Sequence, residues 1–222
     1  MANSYGPKSI VTDNLSLYYD FLNSRCYTSG ATTATNLGSL NVTATIPAAW
    51  AISSGHLAPS ATDATFSSPS GIYIDKDNST YEFWLYPTNL QDGLIQTSTF
   101  GASGPGIQLH WIDTGGGGAG SPMDLYIRGS SYTAYHAVES ITQNSWNHVA
   151  ITFSGTTATL YTNGSLFGSG TVTAIVSHNS TQLGPPYHLN GNYLDIWRIY
   201  HKVLTAGEVL QNYNAQKTRF GL

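Results

Sequence analysis

Apolar and polar residues alternate in short runs along most of this chain. That two-residue period marks strands with one face buried, in contrast to the period of about 3.6 residues that marks a helix. Leu15, Leu17 and Tyr19 line one face of a first strand. Residues 80–87, TYEFWLYP, read as a core strand stopped by Pro87. On it Phe83 and Leu85 share one face, while Glu82, Trp84 and Tyr86 share the other. Further strands are predicted over 93–100, 106–112 and 123–129, the last with Leu125 and Ile127 pointing one way. Val149, Ile151 and Phe153 alternate in WNHVAITF at 146–153, and a Ser154–Thr156 turn leads into TATLYTNG. The Asn163-Gly164 step is a strong turn signal, because both residues tolerate positive φ. YLDIWRIY at 193–200 alternates again. Between these runs, 28–45 and 51–70 are rich in Ser, Thr, Gly and Ala and read as long surface loops, the first with room for a short strand and the second with an apolar patch at Ile52. Gly115–Gly118 reads as the tip of a long hairpin, since successive glycines are costly to order and no Lys-Ser/Thr follows to make a phosphate loop.

Only 205–216, TAGEVLQNYNAQ, carries a helical signature. Thr205 can cap the free N–H groups, Glu208 three residues on completes a capping box, and Leu204 with Val209 forms a hydrophobic staple. Val209, Leu210 and Tyr213 are expected to pin this helix to the sheet, and the tail Arg219–Leu222 to dock nearby. Many short strands, one late helix and no alternation of strand and helix predict an all-β sandwich. No charge block or Pro-rich spacer divides the 222 residues. The chain therefore reads as an arm, 1–9, followed by one domain, 10–222.

Composition narrows the function. Charged residues make up 9% of the chain, against about 25% in an average soluble protein. A hydrophobic share of 41%, with 15 Tyr and 5 Trp, argues against disorder and for a packed β fold. The eight Lys and Arg are thinly spread over a net charge of −4, so no basic cluster is present to displace the counterions of a nucleic acid. Cys26 is alone and no intrachain disulfide is possible. The start, MANSYGPKSIV, lacks an apolar signal region, and no apolar run is long enough for a membrane helix. On that reading the sequons at Asn14, Asn41, Asn78, Asn163 and Asn179 belong to turns and strands. From Met1 to Leu222 the chain reads as a complete protein.

WNHVAITFSGTTATLYTNGSLFGSG (146–170) resembles the central signature of laminin-G-like, concanavalin A-like domains. LGPPYHLNGNYLDIWRIYHKVLTAGEVLQNYN (183–214) is similar to their closing signature, and YEFWLYP (81–87) to their early Trp strand. The opening, 10–39, and the end, VLQNYNAQKTRFGL, resemble such domains in virion structural proteins of tailed phages, especially those of cyanobacteria. The resemblance implies a concanavalin A-like jelly-roll sandwich of two antiparallel sheets. It also implies that Asp195 keeps a structural, hydrogen-bond-accepting duty, and that Asn36 stands where the family has an Asp.

The same fold houses glycosidases, which need two carboxyl groups about 5 Å apart when they retain configuration. Only Glu82, Glu139 and Glu208 are available as glutamates, none in the Glu-x-Asp run of such enzymes. No catalytic residue is assigned and an enzyme is not expected. The histidines, His148 among them, show no metal-ligand spacing. Asp75, Asp77 and Asn78 offer closely spaced oxygens that suit either a calcium site or an ordinary turn. Trp111, Tyr132, Tyr135, His136 and Tyr187 are the candidate contacts for a glycan or a protein interface, because rings stack on sugar faces and Tyr also suits interfaces.

Two functions follow. The first is a non-enzymatic virion structural protein, a capsid decoration subunit or small tail component, which forms oligomers and contacts other virion proteins in the virion. The second is a glycan-binding adhesin module recognising host surface polysaccharide.

Overall fold

The computed structural model describes the chain apart from residues 1–8, 47–49, 60–66, 76, 89–94, 97–105, 112–122, 129–131, 137–140, 172–177 and 183–192; in several strands it describes the backbone only. In order, the strands are β1 (Leu15–Asp20), β2 (Thr33–Thr35), β3 (Thr43–Thr45), β4 (Trp50–Ser53), β5 (His56–Pro59), β6 (Ser67–Ile74), β7 (Ser79–Tyr86) and β8 (Ile95–Gln96). They continue with β9 (Gly106–Trp111), β10 (Met123–Arg128), β11 (Tyr132–His136), β12 (Asn147–Ser154), β13 (Thr157–Thr162), β14 (Ser165–Thr171), β15 (His178–Gln182) and β16 (Tyr193–Tyr200). Helix α1 (Ala206–Gln216) and a 3-10 turn (Lys217–Phe220) follow. The molecule is an all-β, jelly-roll-like sandwich of antiparallel sheets with one short C-terminal helix. A six-stranded sheet runs β1-β16-β7-β12-β13-β14. The described strands also form the sheets β15-β6-β3-β2 and β11-β10-β9-β8 and the β4-β5 hairpin.

The centre of the six-stranded sheet, β16, β7 and β12, is buried on both faces, whereas its edge strand β14 is largely exposed, and the sequence shows why. In β7 the odd positions Tyr81, Phe83 and Leu85 enter the main core beside Leu17, Tyr19, Val149, Ile151, Trp197 and Ile199. The even positions Glu82 and Trp84 are buried too. They face outward from the sandwich, and the C-terminal helix covers them. Trp84 stacks on Phe220 with ring centres 4.1 Å apart and on Tyr213 at 5.9 Å. Thr205 and Glu208 make the full capping box, so the first-turn N–H groups that a helix leaves unpaired have side-chain acceptors. Leu204 and Val209 are buried as a staple requires. Leu210, expected to pin the helix, is 44% exposed; the residues buried against the sheet are Val209 and the polar Asn212. Phe220 docks, whereas Leu222 stays exposed.

The stretch 28–45 is more ordered than its composition predicts. Ala34 and Ala44 pair across β2 and β3 and are both fully buried, flanked by outward threonines. Residues 36–40 then run along β1, with Leu37 N donating to Tyr18 O at 2.8 Å and Leu40 N to Ser16 O at 3.0 Å. Asn36 anchors that turn: its Oδ1 accepts from Tyr18 N and Gly38 N, and its Nδ2 donates to Ser16 O and Leu40 O. An ionised carboxylate has no proton for the last two bonds, so an amide suits this position. No helix among the described residues is long and apolar enough to cross a membrane.

Candidate functional site

Glu82 is fully buried in the outer face of the central sheet. It accepts from Arg198 Nη1 at 3.1 Å and Asn212 Nδ2 at 2.9 Å, and lies 2.5 Å from His148 Nε2. Burial pushes its carboxyl up, but Arg198 and His148 outweigh burial and hold it at about 2. Arg198 Nη2 also donates to Gln216, which accepts from Trp84 Nε1 at 3.2 Å. Asn212 Nδ2 donates to Tyr200 Oη, and Asn212 Oδ1 accepts from Val11 N. This network fastens the helix to the sheet, and its centre at Glu82, His148, Arg198 and Asn212 is closed to solvent. Glu208 is committed to its cap and to Lys202 at 2.6 Å. Neither glutamate is free to serve as a glycosidase acid or nucleophile; Glu139 lies outside the described residues.

A different group of side chains meets the surface. The β4-β5 hairpin turns in two residues, Ser54 and Gly55, both at positive φ, as a tight hairpin demands. It pairs Ser53 with His56 and sends His56 against β16. There the register shifts between Leu194 and Ile196, and the extra residue is Asp195. The Asp195 carboxylate is buried; its Oδ1 accepts from Leu57 N at 3.2 Å and its Oδ2 lies 2.5 Å from His56 Nδ1. Burial raises the Asp195 carboxyl from its ordinary value, and the bonds to His56 and Leu57 pull against that rise. The acceptor duty expected of Asp195 is thus what the structure shows.

Around His56 three rings close a circuit. His56 lies 4.8 Å from Trp146 and 6.0 Å from Tyr193, while Tyr86 lies 5.6 Å from Trp146 and 5.7 Å from Tyr193. Tyr86 ends β7 and Tyr193 begins β16 directly opposite it. Trp146 precedes β12 in a turn that Asn147 staples, accepting from Thr142 N and donating to Thr142 O and Ser145 O. Phe220 backs Trp146 at 4.7 Å. Trp146 is nearly buried, His56 is 28% exposed at its side chain, and Tyr86 and Tyr193 are half-buried. Among the described residues neither tyrosine hydroxyl, nor His56 Nε2, has a hydrogen-bond partner. The quartet is an apolar wall with polar atoms at its rim, which is the chemistry that binds a sugar ring.

Of the glycan or interface candidates singled out from sequence, the four whose backbone is described lie in the β11-β10-β9-β8 sheet. Trp111 ends β9 opposite Met123, and Tyr132, Tyr135 and His136 lie in β11, an edge strand and not a loop. Trp111 and His136 are brought to the same end of that sheet, with Tyr132 at the other. Their side chains and Tyr187 lie outside the described residues. Asp75 Oδ1 accepts from Asp77 N at 2.9 Å and Asn78 Oδ1 from Val203 N at 3.1 Å, so these side chains shape a turn. Among the described residues no group of three or more acidic, His or Cys side chains gathers to hold a metal ion. His56 went unnoticed in sequence because a lone histidine in a Ser/Gly-rich stretch carries no motif; the Ser54-Gly55 turn was the available signal.

Residues 60–210 match the family model of the concanavalin A-like lectin/glucanases superfamily. No curated protein matches the sequence. Among solved structures, the binding domain of botulinum neurotoxin serotype D is similar at a TM-score of 0.67 and 15% identity, over 93% of this chain and 53% of that one. The ligand-binding domain of the same toxin in complex with N-acetylneuraminic acid matches at 0.66 and 14%, over 93% and 52%. Domain 4 of AbnA, a GH43 extracellular arabinanase from Geobacillus stearothermophilus, in complex with arabinotriose, matches at 0.57 and 18%, over 91% and 100%. This chain spans about half the length of the toxin domains. At these identities the shared feature is the fold.

Proposed function

From the premise that the chain belongs to the concanavalin A-like lectin/glucanase superfamily, we propose that it is a non-catalytic glycan-binding domain whose sugar site is the quartet His56, Tyr86, Trp146 and Tyr193. One observation carries the reading: His56, Trp146, Tyr86 and Tyr193 close a circuit of rings at the end of the central sheet, and His56 Nε2 and the two phenol hydroxyls have no hydrogen-bond partner among the described residues. Rings supply faces for the C–H surface of a sugar, and His56 Nε2 and the two phenols supply hydrogen bonds to its hydroxyls. The similar solved structures support this reading, because they are a toxin's ligand-binding domain and an arabinanase module, each solved with a sugar.

The expectation of a virion structural protein, whether capsid decoration or tail component, is overturned by the same comparison. Nothing in the family match or in the similar structures ties the chain to a phage particle, and those structures are binding domains of a toxin and of a glycosidase. The resemblance in 10–39 and at the C-terminus extends to the fold and no further.

A glycan array followed by calorimetry tests the proposal. Tyr193→Ala removes one rim ring and one hydroxyl, and is expected to weaken binding about tenfold or more, as loss of a central aromatic anchor does. Unchanged affinity in a folded Tyr193→Ala protein would remove the quartet from the site. Failure of every glycan on the array to bind would refute the function.

A further inference from the structure

We propose that Asp195 is a positioning residue that fixes His56 as a hydrogen-bond acceptor toward the ligand, so that the cradle selects uncharged sugars offering a hydroxyl donor and rejects carboxylate-bearing ones. The inference rests on the quartet being the sugar site. Its geometry is local and complete. The Asp195 carboxylate accepts from Leu57 N through Oδ1 and faces His56 Nδ1 through Oδ2. An ionised carboxylate only accepts, so Nδ1 carries the proton. A neutral imidazole has one N–H, which leaves Nε2 as a lone pair. That nitrogen has no protein partner among the described residues, on a ring that is 28% exposed at its side chain.

The surroundings set the sign of the selectivity. Facing His56 are Asp195 and Tyr193 from β16 and Trp146, which bears no charge, while Tyr86 from β7 closes the circuit against Trp146 and Tyr193. Of the cations, Arg219 acts on Asp195 through space, but its guanidinium is held by both oxygens of Asp20, at 2.8 and 2.7 Å. A sugar hydroxyl donates to Nε2 and presents its C–H face to the rings. A sugar carboxylate meets a lone pair, the negative faces of the aromatic rings and an arginine already paired, and its desolvation goes uncompensated.

Two measurements on the full chain test this. Long-range proton–nitrogen NMR of the histidine-labelled free protein at about pH 8 is expected to show Nδ1 protonated and Nε2 bare. A glycan array pairing neutral oligosaccharides with sialylated and uronate members of the same backbones is expected to give neutral hits preferred by about tenfold or more at that pH. That preference depends on the bond between Asp195 and His56. Asp195→Asn, whose amide donates to Nδ1 and moves the ring proton to Nε2, erases it. Should that variant fail to fold, His56→Gln erases it as well, since a carboxamide both donates and accepts. A protonated Nε2 in the free protein at that pH, or hits carried by the carboxylate-bearing members, overturns the inference. Loss of all glycan binding refutes the site itself, while the NMR result still decides the tautomer.

Discussion

Replacing Glu82 by Gln removes the only negative charge from the buried network under α1, and the consequence depends on pH in a way that can be worked out. The glutamate carboxyl is held at about 2 in the folded protein, against an ordinary value of 4.5, because Arg198 and His148 outweigh the penalty of burial. A carboxyl depressed by folding contributes stability above its unfolded value, and that contribution fades as pH falls from about 4.5 toward about 2. The difference amounts to about 3 kcal/mol. In Glu82→Gln the shape is kept but Arg198 stays buried without a counter-charge, so the variant is less stable by about 3–5 kcal/mol near neutral pH. The gap between the two proteins should then close by about 3 kcal/mol between about pH 6 and about pH 2. Glu208, whose carboxyl is lowered by Lys202, is present in both proteins and cancels. Urea unfolding followed by tryptophan fluorescence gives this gap directly, with Trp84 stacked beside the network as a reporter. A stability difference that stays constant across that range would refute the reasoning, because it would mean that Glu82 binds its proton equally well in both states.

Other outcomes follow from the same geometry. Gly38→Ala would place a Cβ 2.5 Å from the backbone oxygen of Ser16, so the 36–40 segment must lift from β1; a loss of about 1–3 kcal/mol and faster amide exchange at Leu37 and Leu40 are expected, and unchanged exchange would show that the segment is not held there. Burial pushes the Cys26 thiol up to about 12, so a thiolate-selective reagent at mildly alkaline pH should label the native protein only at its opening rate; rapid stoichiometric labelling would contradict that burial.

The strand pattern was legible where one residue type dominates each face. Phe83 and Leu85, and Val149, Ile151 and Phe153, are apolar in the sequence and buried in the core. The capping box at Thr205 and Glu208 was legible for a similar reason, since it depends on four consecutive residues and no distant contact. The stretch around β2 and β3 hid its order because alanine is small, and Thr-Ala-Thr reads as loop until two such triplets meet. The quartet proposed as the site hid for a geometric reason. His56, Tyr86, Trp146 and Tyr193 lie on four separate segments, and only antiparallel pairing of β7, β12 and β16, with a bulge at Asp195, brings their ends together. Conversely, Tyr132, Tyr135 and His136 were chosen for a presumed loop position, and the backbone there pairs regularly with β10.

These placements also tie stability to recognition. Glu82, Arg198 and Asn212 hold α1 against the sheet, and the 3-10 turn that follows carries Phe220 onto both Trp84 and Trp146. Trp146 is in turn the wall against which His56 stands. The proposed sugar cradle therefore has two supports of different chemistry, the Asp195 bond from the sheet side and the helix-borne aromatic stack from the outer face. A rigid wall lowers the ordering cost of binding, which is where a shallow site on a sandwich edge loses most of its affinity. The buried charges fix the helix in one position, and that position decides where Trp146 stands in the proposed site.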